Sequence, residues 1–151
     1  MEDIVCKKKA VAMKFVMKIF IVGLFPETLS SALETSILGR SVKNGSITPV
    51  FIKLSDYSVR PTRRVDDRVY GGGSGTLLQC EPIALALDEI LESSAEKPEI
   101  FVMSPGGEMW MQASAQEVAN SGKDIIILCG HYEWIDERVI EYYNMRRISI
   151  G

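Results

Sequence analysis

Histidine is all but missing from this 151-residue chain, where His131 stands alone. A multi-histidine metal centre is thereby excluded. A serine–histidine–acid triad would have to use His131, and nothing in its sequence setting favours that. Cysteine is scarce too: Cys6, Cys80 and Cys129 are odd in number, far apart and without a Cys-x-x-Cys pair. That argues against a disulfide framework or structural zinc and suits a reducing cytosol, so a cytoplasmic location is expected. Long apolar runs are lacking. The N-terminal stretch up to Phe25 is interrupted by Lys14 and Lys18, which makes it too short and too charged to cross a bilayer. No small-residue cleavage site follows, so a signal peptide fits poorly, and no membrane partner is expected. Nor is there an excess of positive charge. A net charge of -3 makes no general case for nucleic acid. What is present, 46% hydrophobic and 25% charged residues, is the make-up of an ordinary globular protein with room for one domain and a real core.

Alternation of buried strands and helices runs through the chain. Ile19–Gly23, Ile47–Leu54, Ile100–Met103 and Ile125–Gly130 are apolar, partly β-branched runs that read as buried strands, and Ile148–Ile150 reads as the start of another. Between them, Pro26 opens a helix whose stripe of Leu29, Leu33, Ile37 and Leu38 lasts to Asn44-Gly45. Glu81-Pro82 opens a second helix with Ile83, Leu87, Ile90 and Leu91 on one face; Ala113–Asn120 forms a third; and Ile135, Val139 and Tyr142 mark a last helical face. This pattern predicts an α/β fold, a mainly parallel sheet flanked by helices. The turns at Ser104–Gly107 and Gly130–Glu133 fall where a strand hands over to a helix, the edge where open α/β sheets bind ligands.

The segment Arg63–Gly75 stands out. It mixes charges of both signs and ends with Gly71, Gly72, Gly73 and Gly75. No apolar repeat holds it in a helix or strand, so Ser55–Gly75 is expected to be a polar loop, longer than a compact domain uses as mere spacer. The glycines permit close approach to a ligand, and arginine forks grip phosphate. No Gly-Lys-Ser/Thr follows them, and the dinucleotide spacing fails at Thr76 and Leu78. Lys53, Arg60, Arg63, Arg64 and Arg68 cluster around the loop, a local patch able to hold a phosphate backbone on an otherwise acidic protein.

Several motifs then fall in a specific order: Leu24-Phe25-Pro26-Glu27, Gly39-Arg40-x-Val42-Lys43-Asn44-Gly45, Val65-Asp66-Asp67-x-x-Tyr70-Gly71-Gly72-Gly73-x-Gly75, Ser104-Pro105-x-Gly107, Cys129-Gly130-His131-Tyr132-Glu133-x-Ile135-Asp136-Glu137-Arg138 and Ser149-Ile150-Gly151. Together they resemble the bacterial tRNA (guanine-N1)-methyltransferases of the TrmD type, from about Met17 to the last residue. The resemblance implies a homodimeric SPOUT-class enzyme with a trefoil knot, an exception to unthreaded folds. It further implies transfer of a methyl group from S-adenosyl-L-methionine to N1 of guanine-37, next to the anticodon of tRNA. By motif match, Ser104, Pro105, Gly107, Gly130, Tyr132, Glu133, Ile150 and Gly151 would line the cofactor pocket. Arg64, Asp66, Asp67, Tyr70, Gly71, Gly72, Gly73 and Gly75 would meet tRNA. No metal site is implied and no catalytic residue is assigned.

The resemblance also sets the expected domain organisation. Residues 1–16 read as an extension, and 17–151 as the S-adenosylmethionine-binding SPOUT domain, incomplete at its C-terminus and without the C-terminal tRNA-binding domain. Departures from the family pattern are Trp134 in place of a glycine, Thr76 in place of a methionine and Gly106 where a polar residue is usual. The catalytic arginine and aspartate of the family lie in downstream sequence, so this stretch alone is expected to lack methyl transfer. The alternative is a non-catalytic remnant that keeps a fold and some RNA or partner contact. A flavodoxin-like nucleotide binder rests on fold analogy alone.

Overall fold

The computed structural model describes residues 16–68, 75–130 and 134–151; the extension at 1–15 lies outside them. Strand β1 (Met17–Gly23) leads through a 3-10 turn at Pro26–Leu29 to the short helices α1 (Ser30–Leu33) and α2 (Ser36–Lys43). Strand β2 (Ile47–Lys53) follows, then a second 3-10 turn, Leu54–Tyr57. Next come β3 (Asp66–Arg68), β4 (Thr76–Leu78) and the helix α3 (Cys80–Ser93). Strand β5 (Glu99–Met109), helix α4 (Gln112–Ser121) and strand β6 (Ile125–Leu128) lead to β7 (Trp134–Ile135), α5 (Glu137–Tyr142) and β8 (Arg146–Ser149).

The main sheet has the order β2-β1-β6-β5-β8, and every pairing in it is parallel. The expected α/β architecture is therefore present. Helices cover both faces, as the two-residue strand period requires. Ile100 and Val102 of β5 point into a core with Ile83, Ala86, Leu87 and Ile90 of α3 and Val139 and Ile140 of α5. Phe101, between them, packs on the opposite face with Val118 of α4 and Ile148. Each of these large side chains stabilises the fold by roughly 1.5–3 kcal/mol on burial. Polar contacts tighten one layer: the Tyr143 hydroxyl reaches Asp88 of α3 at 2.6 Å and the Ala84 carbonyl at 3.3 Å.

Four expectations need correction. The helix from Pro26 is not continuous. It breaks at Glu34-Thr35 and restarts at Ser36, whose φ is 54°; the Glu34 carbonyl lies so close to Gly39 that a Cβ there would sit 2.2 Å from it. The break turns the expected stripe outward, leaving Leu29, Ile37 and Leu38 exposed. On α5 the buried residues are Val139 and Ile140, with Tyr143 just beyond, whereas Tyr142 is 82% exposed. The polar loop after β2 is not wholly irregular. Asp66–Arg68 pairs antiparallel with Thr76–Leu78, because Leu77 and Leu78 are buried and bring the acidic strand with them. Lastly, β5 does not end at Met103.

That continuation depends on one glycine. Met103 and Glu108 both register against Ile148 of β8, so Ser104–Gly107 bulges between two paired segments. Beyond it the Trp110 amide donates to the Ser149 carbonyl at 2.7 Å, and the Trp110 ring meets Phe101 edge-on with centroids 5.5 Å apart. At Gly107 a Cβ would lie 2.6 Å from the Ile148 nitrogen and 2.7 Å from the Arg147 carbonyl carbon. Gly107→Ala is therefore expected to cost roughly 1–3 kcal/mol and lower the melting temperature by about 4–12 °C. Gly106, where a Cβ meets nothing within 4 Å, is the control: Gly106→Ala should melt within about 2 °C of the unmodified chain. Equal effects from the two substitutions in a thermal melt would show that the strand contact is not the reason for the glycine.

Candidate functional site

All five strands of the main sheet run the same way, so their carboxyl ends share one edge. A cavity of about 680 Å³ opens there. Its walls are the bulge residues Ser104, Pro105 and Gly106, Gly130 after β6, and the apolar side chains of Val102, Met103, Ile135 and Ile140. A smaller cleft of about 200 Å³ shares Met103, Ser104 and Pro105 with it and extends to Ser149, Ile150 and Gly151. A third, of about 360 Å³, shares Gly130 and runs under Leu24, Phe25 and Pro26. Segments distant in sequence thus line three neighbouring clefts that share wall residues. Ser104 and Pro105 line both of the first two clefts, with Gly130 in the larger and Ile150 and Gly151 in the smaller. Gly107 sits against the β8 backbone and is not among the residues that line these clefts. Tyr132 and Glu133 lie outside the described residues.

A small second sheet ties the large cavity to the glycine segment. Its order is β3-β4-β7, with Leu77 opposite Trp134 and Leu78 opposite Ile135 in parallel register. The residues just after the glycine segment and those just after position 133 are therefore hydrogen-bonded neighbours. Gly75, with φ 113°, adopts a backbone conformation that favours glycine. Tyr70, Gly71, Gly72 and Gly73 lie outside the described residues.

Ion pairs organise the arginine-rich segment. Arg64 grips Asp66 with two bonds of 3.1 and 2.8 Å, while Arg60 reaches Asp67 at 2.9 Å and the Asp66 carbonyl at 3.3 Å. Gln79 donates to Asp67 at 3.1 Å. The Arg64 hydrogen bond holds the Asp66 carboxyl below its usual range, and the Arg68 backbone amide, followed by Gln79 and Arg60, does the same for Asp67. Arg63 pairs with Asp56 at 3.4 Å and Lys53 with Glu27 at 3.6 Å. The basic cluster is thus largely neutralised within the chain. Asp136 caps α5 by accepting from the Arg138 amide at 3.0 Å and binds the Arg138 guanidinium through both oxygens, at 3.0 and 2.6 Å. Burial pushes the Cys80 and Cys129 thiols up, so neither is a ready thiolate. Among the described residues, no group of His, Cys, Asp and Glu could hold a metal ion.

A family model described as tRNA (Guanine-1)-methyltransferase TrmD matches residues 17–151. The chain belongs to the TrmD family. Relatives carrying the name tRNA (guanine-N(1)-)-methyltransferase include that of Ruminiclostridium cellulolyticum, 39% identical over 135 residues that make up 89% of this chain and 58% of the relative. The protein of Metamycoplasma arthritidis is 40% identical over 89% of this chain and 56% of its own length. The crystal structure of the tRNA (m1G37) methyltransferase from Aquifex aeolicus superposes with a TM-score of 0.79 at 34% identity, covering 90% of this chain and 60% of that one. The chain thus spans little more than half the length of the curated relatives it matches.

Some residues that line the large cavity had no distinctive sequence signal. Val102 and Met103 line the cavity yet read simply as a buried strand, and Ile140 and Arg147 belonged to no motif. Asp136 and Glu137 were visible in the motif after Gly130, but not their roles as helix cap and cavity wall. The cap sets a pH dependence. The Asp136 pKa is lowered from 3.8, first by the Arg138 side-chain bond, so its contribution is present above about pH 4 and lost as pH falls through the depressed folded value. Asp136→Ala should destabilise the fold by about 1–2 kcal/mol at pH 7. Chemical denaturation of both proteins should show that gap closing below pH 4; a gap that persists in acid would rule out the ionised cap.

Proposed function

We propose that this chain carries the S-adenosyl-L-methionine-binding, SPOUT-type part of a tRNA (guanine-N1)-methyltransferase that methylates N1 of guanine-37 beside the anticodon. One observation carries the reading: Ser104-Pro105, Gly130 and Ile150-Gly151, remote in sequence, line two clefts that share a wall at the carboxyl edge of a parallel sheet. A volume of about 680 Å³ is suited to a nucleoside-sized ligand. Turns of serine, proline and glycine offer backbone donors and acceptors to an adenine without side-chain bulk, and Val102, Ile135 and Ile140 supply apolar surface. The residues present fit the methyl donor, which when bound supplies an electrophilic methyl group on its sulfonium.

The segment from Arg60 to Gly75 is assigned to tRNA, with β7 linking it to the donor cavity. Guanine N1 carries a proton near neutral pH, and its removal calls for a base within hydrogen-bond reach. Asp66 and Asp67 are poor candidates, since their arginine partners and depressed pKa values make them weak acceptors. They serve the geometry of the hairpin instead. A homodimer, a trefoil knot in the whole enzyme and a cytoplasmic location belong to the same proposal. The exposed Leu29, Ile37 and Leu38 support the first, as apolar surface open to a partner. Among the described residues no helix is long and apolar enough to cross a membrane.

Donor binding is the part of the activity assigned to the residues described. Calorimetric titration of the chain with S-adenosylmethionine should give saturable binding. Gly130→Val should weaken it by roughly tenfold or more, since it fills the cavity wall. The fold should survive, because the nearest atom to the new Cβ is the movable Ile135 Cδ1 at 3.3 Å. An unmodified, folded chain that takes up no S-adenosylmethionine at millimolar concentration would refute the donor site and favour a non-catalytic remnant.

A further inference from the structure

The amino edge of the main sheet carries a cleft of its own. Strands β5, β6 and β8 run parallel and start at Glu99, Ile125 and Arg146, so the turns that feed them share that edge. A cavity of about 280 Å³ opens between those turns. The strand rise from Glu99 to Met103, about 13 Å, sets it apart from the large cavity at the carboxyl edge. Its polar walls are Lys97, Glu99, Lys123, Asn144 and Arg146. Arg146 is held by Glu108 at 3.1 Å and Glu117 at 3.7 Å. Lys97 and Lys123 are exposed, and among the described residues neither takes part in an ion pair. Carboxylates are not in short supply, since the chain has 20 acidic residues against 17 basic ones. Asp124, next to Lys123, accepts from the Lys18 backbone amide at 2.7 Å and is turned to β1 instead.

We propose that this cleft binds a phosphate carried on a ribose, with Lys97 and Lys123 toward the phosphate and Glu99 and Asn144 toward the sugar hydroxyls. The assignment is independent of the donor cavity, which shares no wall residue with it. Two ammonium groups without internal counter-ions draw anions to the cleft. Unlike Arg146, they have no carboxylate to give up when a phosphate arrives. Glu99 would repel a bare anion. A hydroxyl beside the phosphate, however, can donate to its carboxylate, and the Asn144 amide can serve a second one as donor or acceptor. Left-handed backbone at Gly122 and Asn144, with φ 70° and 52°, turns the chain sharply toward β6 and β8 and brings Lys123 and Asn144 to the same cleft. A phosphate on a ribose repeats along an RNA backbone and also occurs in free sugar phosphates; the chemistry recognised is the same.

Ribose 5-phosphate and a fluorescent RNA hairpin separate the two sources. In titrations of the 151-residue chain, Lys97→Gln and Lys123→Gln should each weaken binding by roughly tenfold, the worth of a charge-assisted hydrogen bond. For the RNA, the plot of log affinity against log salt should also flatten by about one unit per lysine removed. Lys43→Gln removes the same charge at the end of α2, ahead of β2 on the far side of β1 and β6, and should leave affinity within about twofold. Whichever probe binds should be preferred over its deoxyribose counterpart by about two- to tenfold, and Glu99→Ala should erase that preference. Melting temperatures within about 2 °C of the unmodified chain certify that the variants are folded. Loss for ribose 5-phosphate alone identifies a free sugar phosphate as the ligand, loss for RNA alone identifies the backbone, and either supports the cleft. An unmodified chain that binds neither probe, lysine variants that bind as tightly as it does, or a Lys43→Gln loss as large as theirs would each overturn the site. Equal affinity for ribose and deoxyribose forms would overturn the sugar contact. Uptake of S-adenosylmethionine should be the same in every variant, so this site and the donor site stand or fall separately.

Discussion

Two backbones touch at Gly107, and much of the rest follows from that contact. Strand β5 can pass β8 twice, at Met103 and again from Glu108, only because nothing projects from Gly107 toward the Arg147–Ile148 peptide. The excess residues between the two pairings must go somewhere, and they bulge out over the carboxyl edge as Ser104, Pro105 and Gly106. That bulge is the wall shared by the two clefts. The second pairing also delivers Trp110 to Phe101, closing the core on the α4 side. Cavity and core layer are consequences of one missing methyl group.

Charge in this chain is used locally before it is available to a ligand, and the pairs differ in what they do. Arg64–Asp66 and Arg138–Asp136 are bidentate with a largely buried carboxylate, so breaking them leaves a costly unsatisfied group. Arg63–Asp56 and Lys53–Glu27 are long and exposed, which makes them weak in salt and readily exchanged for another anion. The first kind shapes the hairpin and the start of α5. The second kind is where a phosphate backbone would find cations at little cost. A count of basic residues in sequence cannot make this distinction, because it depends on which carboxylates fold back onto them.

Legibility in sequence followed the range of the interactions. Strands β1, β2 and β6 and helices α3 and α4 are set by nearby apolar pattern and by punctuation such as Pro82 and Gly122, and they lie close to where that pattern places them. The bulged half of β5 was unreadable, since Ser104-Pro105-Gly106-Gly107 carries every local mark of a stop and continues only through pairing with a strand some forty residues later. Strand β3 was hidden for a related reason: its acidic residues are carried by buried partners across the hairpin. The α1–α2 break misled most. Leu29, Leu33, Ile37 and Leu38 keep helical spacing, but spacing cannot reveal that the chain restarts at Ser36 in a left-handed conformation. For the cavity, the motif residues Ser104, Pro105 and Gly130 lie on its wall where the chain turns, whereas Arg147 had no sequence signal because only the fold brings it there.

Coupling between the β3–β4 hairpin and the large cavity rests on very little structure. Strand β7 has only Trp134 and Ile135, yet Ile135 faces two ways. Its backbone registers with Leu78, which is 1% exposed and anchored in the main core. Its side chain lines the large cavity and lies 3.3 Å from where a Cβ on Gly130 would stand. Any displacement of the glycine hairpin that moves β4 must therefore pull Ile135 away from Gly130 or break a pairing to a buried strand. Filled interiors resist such shifts. A substrate seated on the hairpin and a ligand in the cavity would share one rigid connection, so this two-residue strand is the shortest physical path by which either can sense the other.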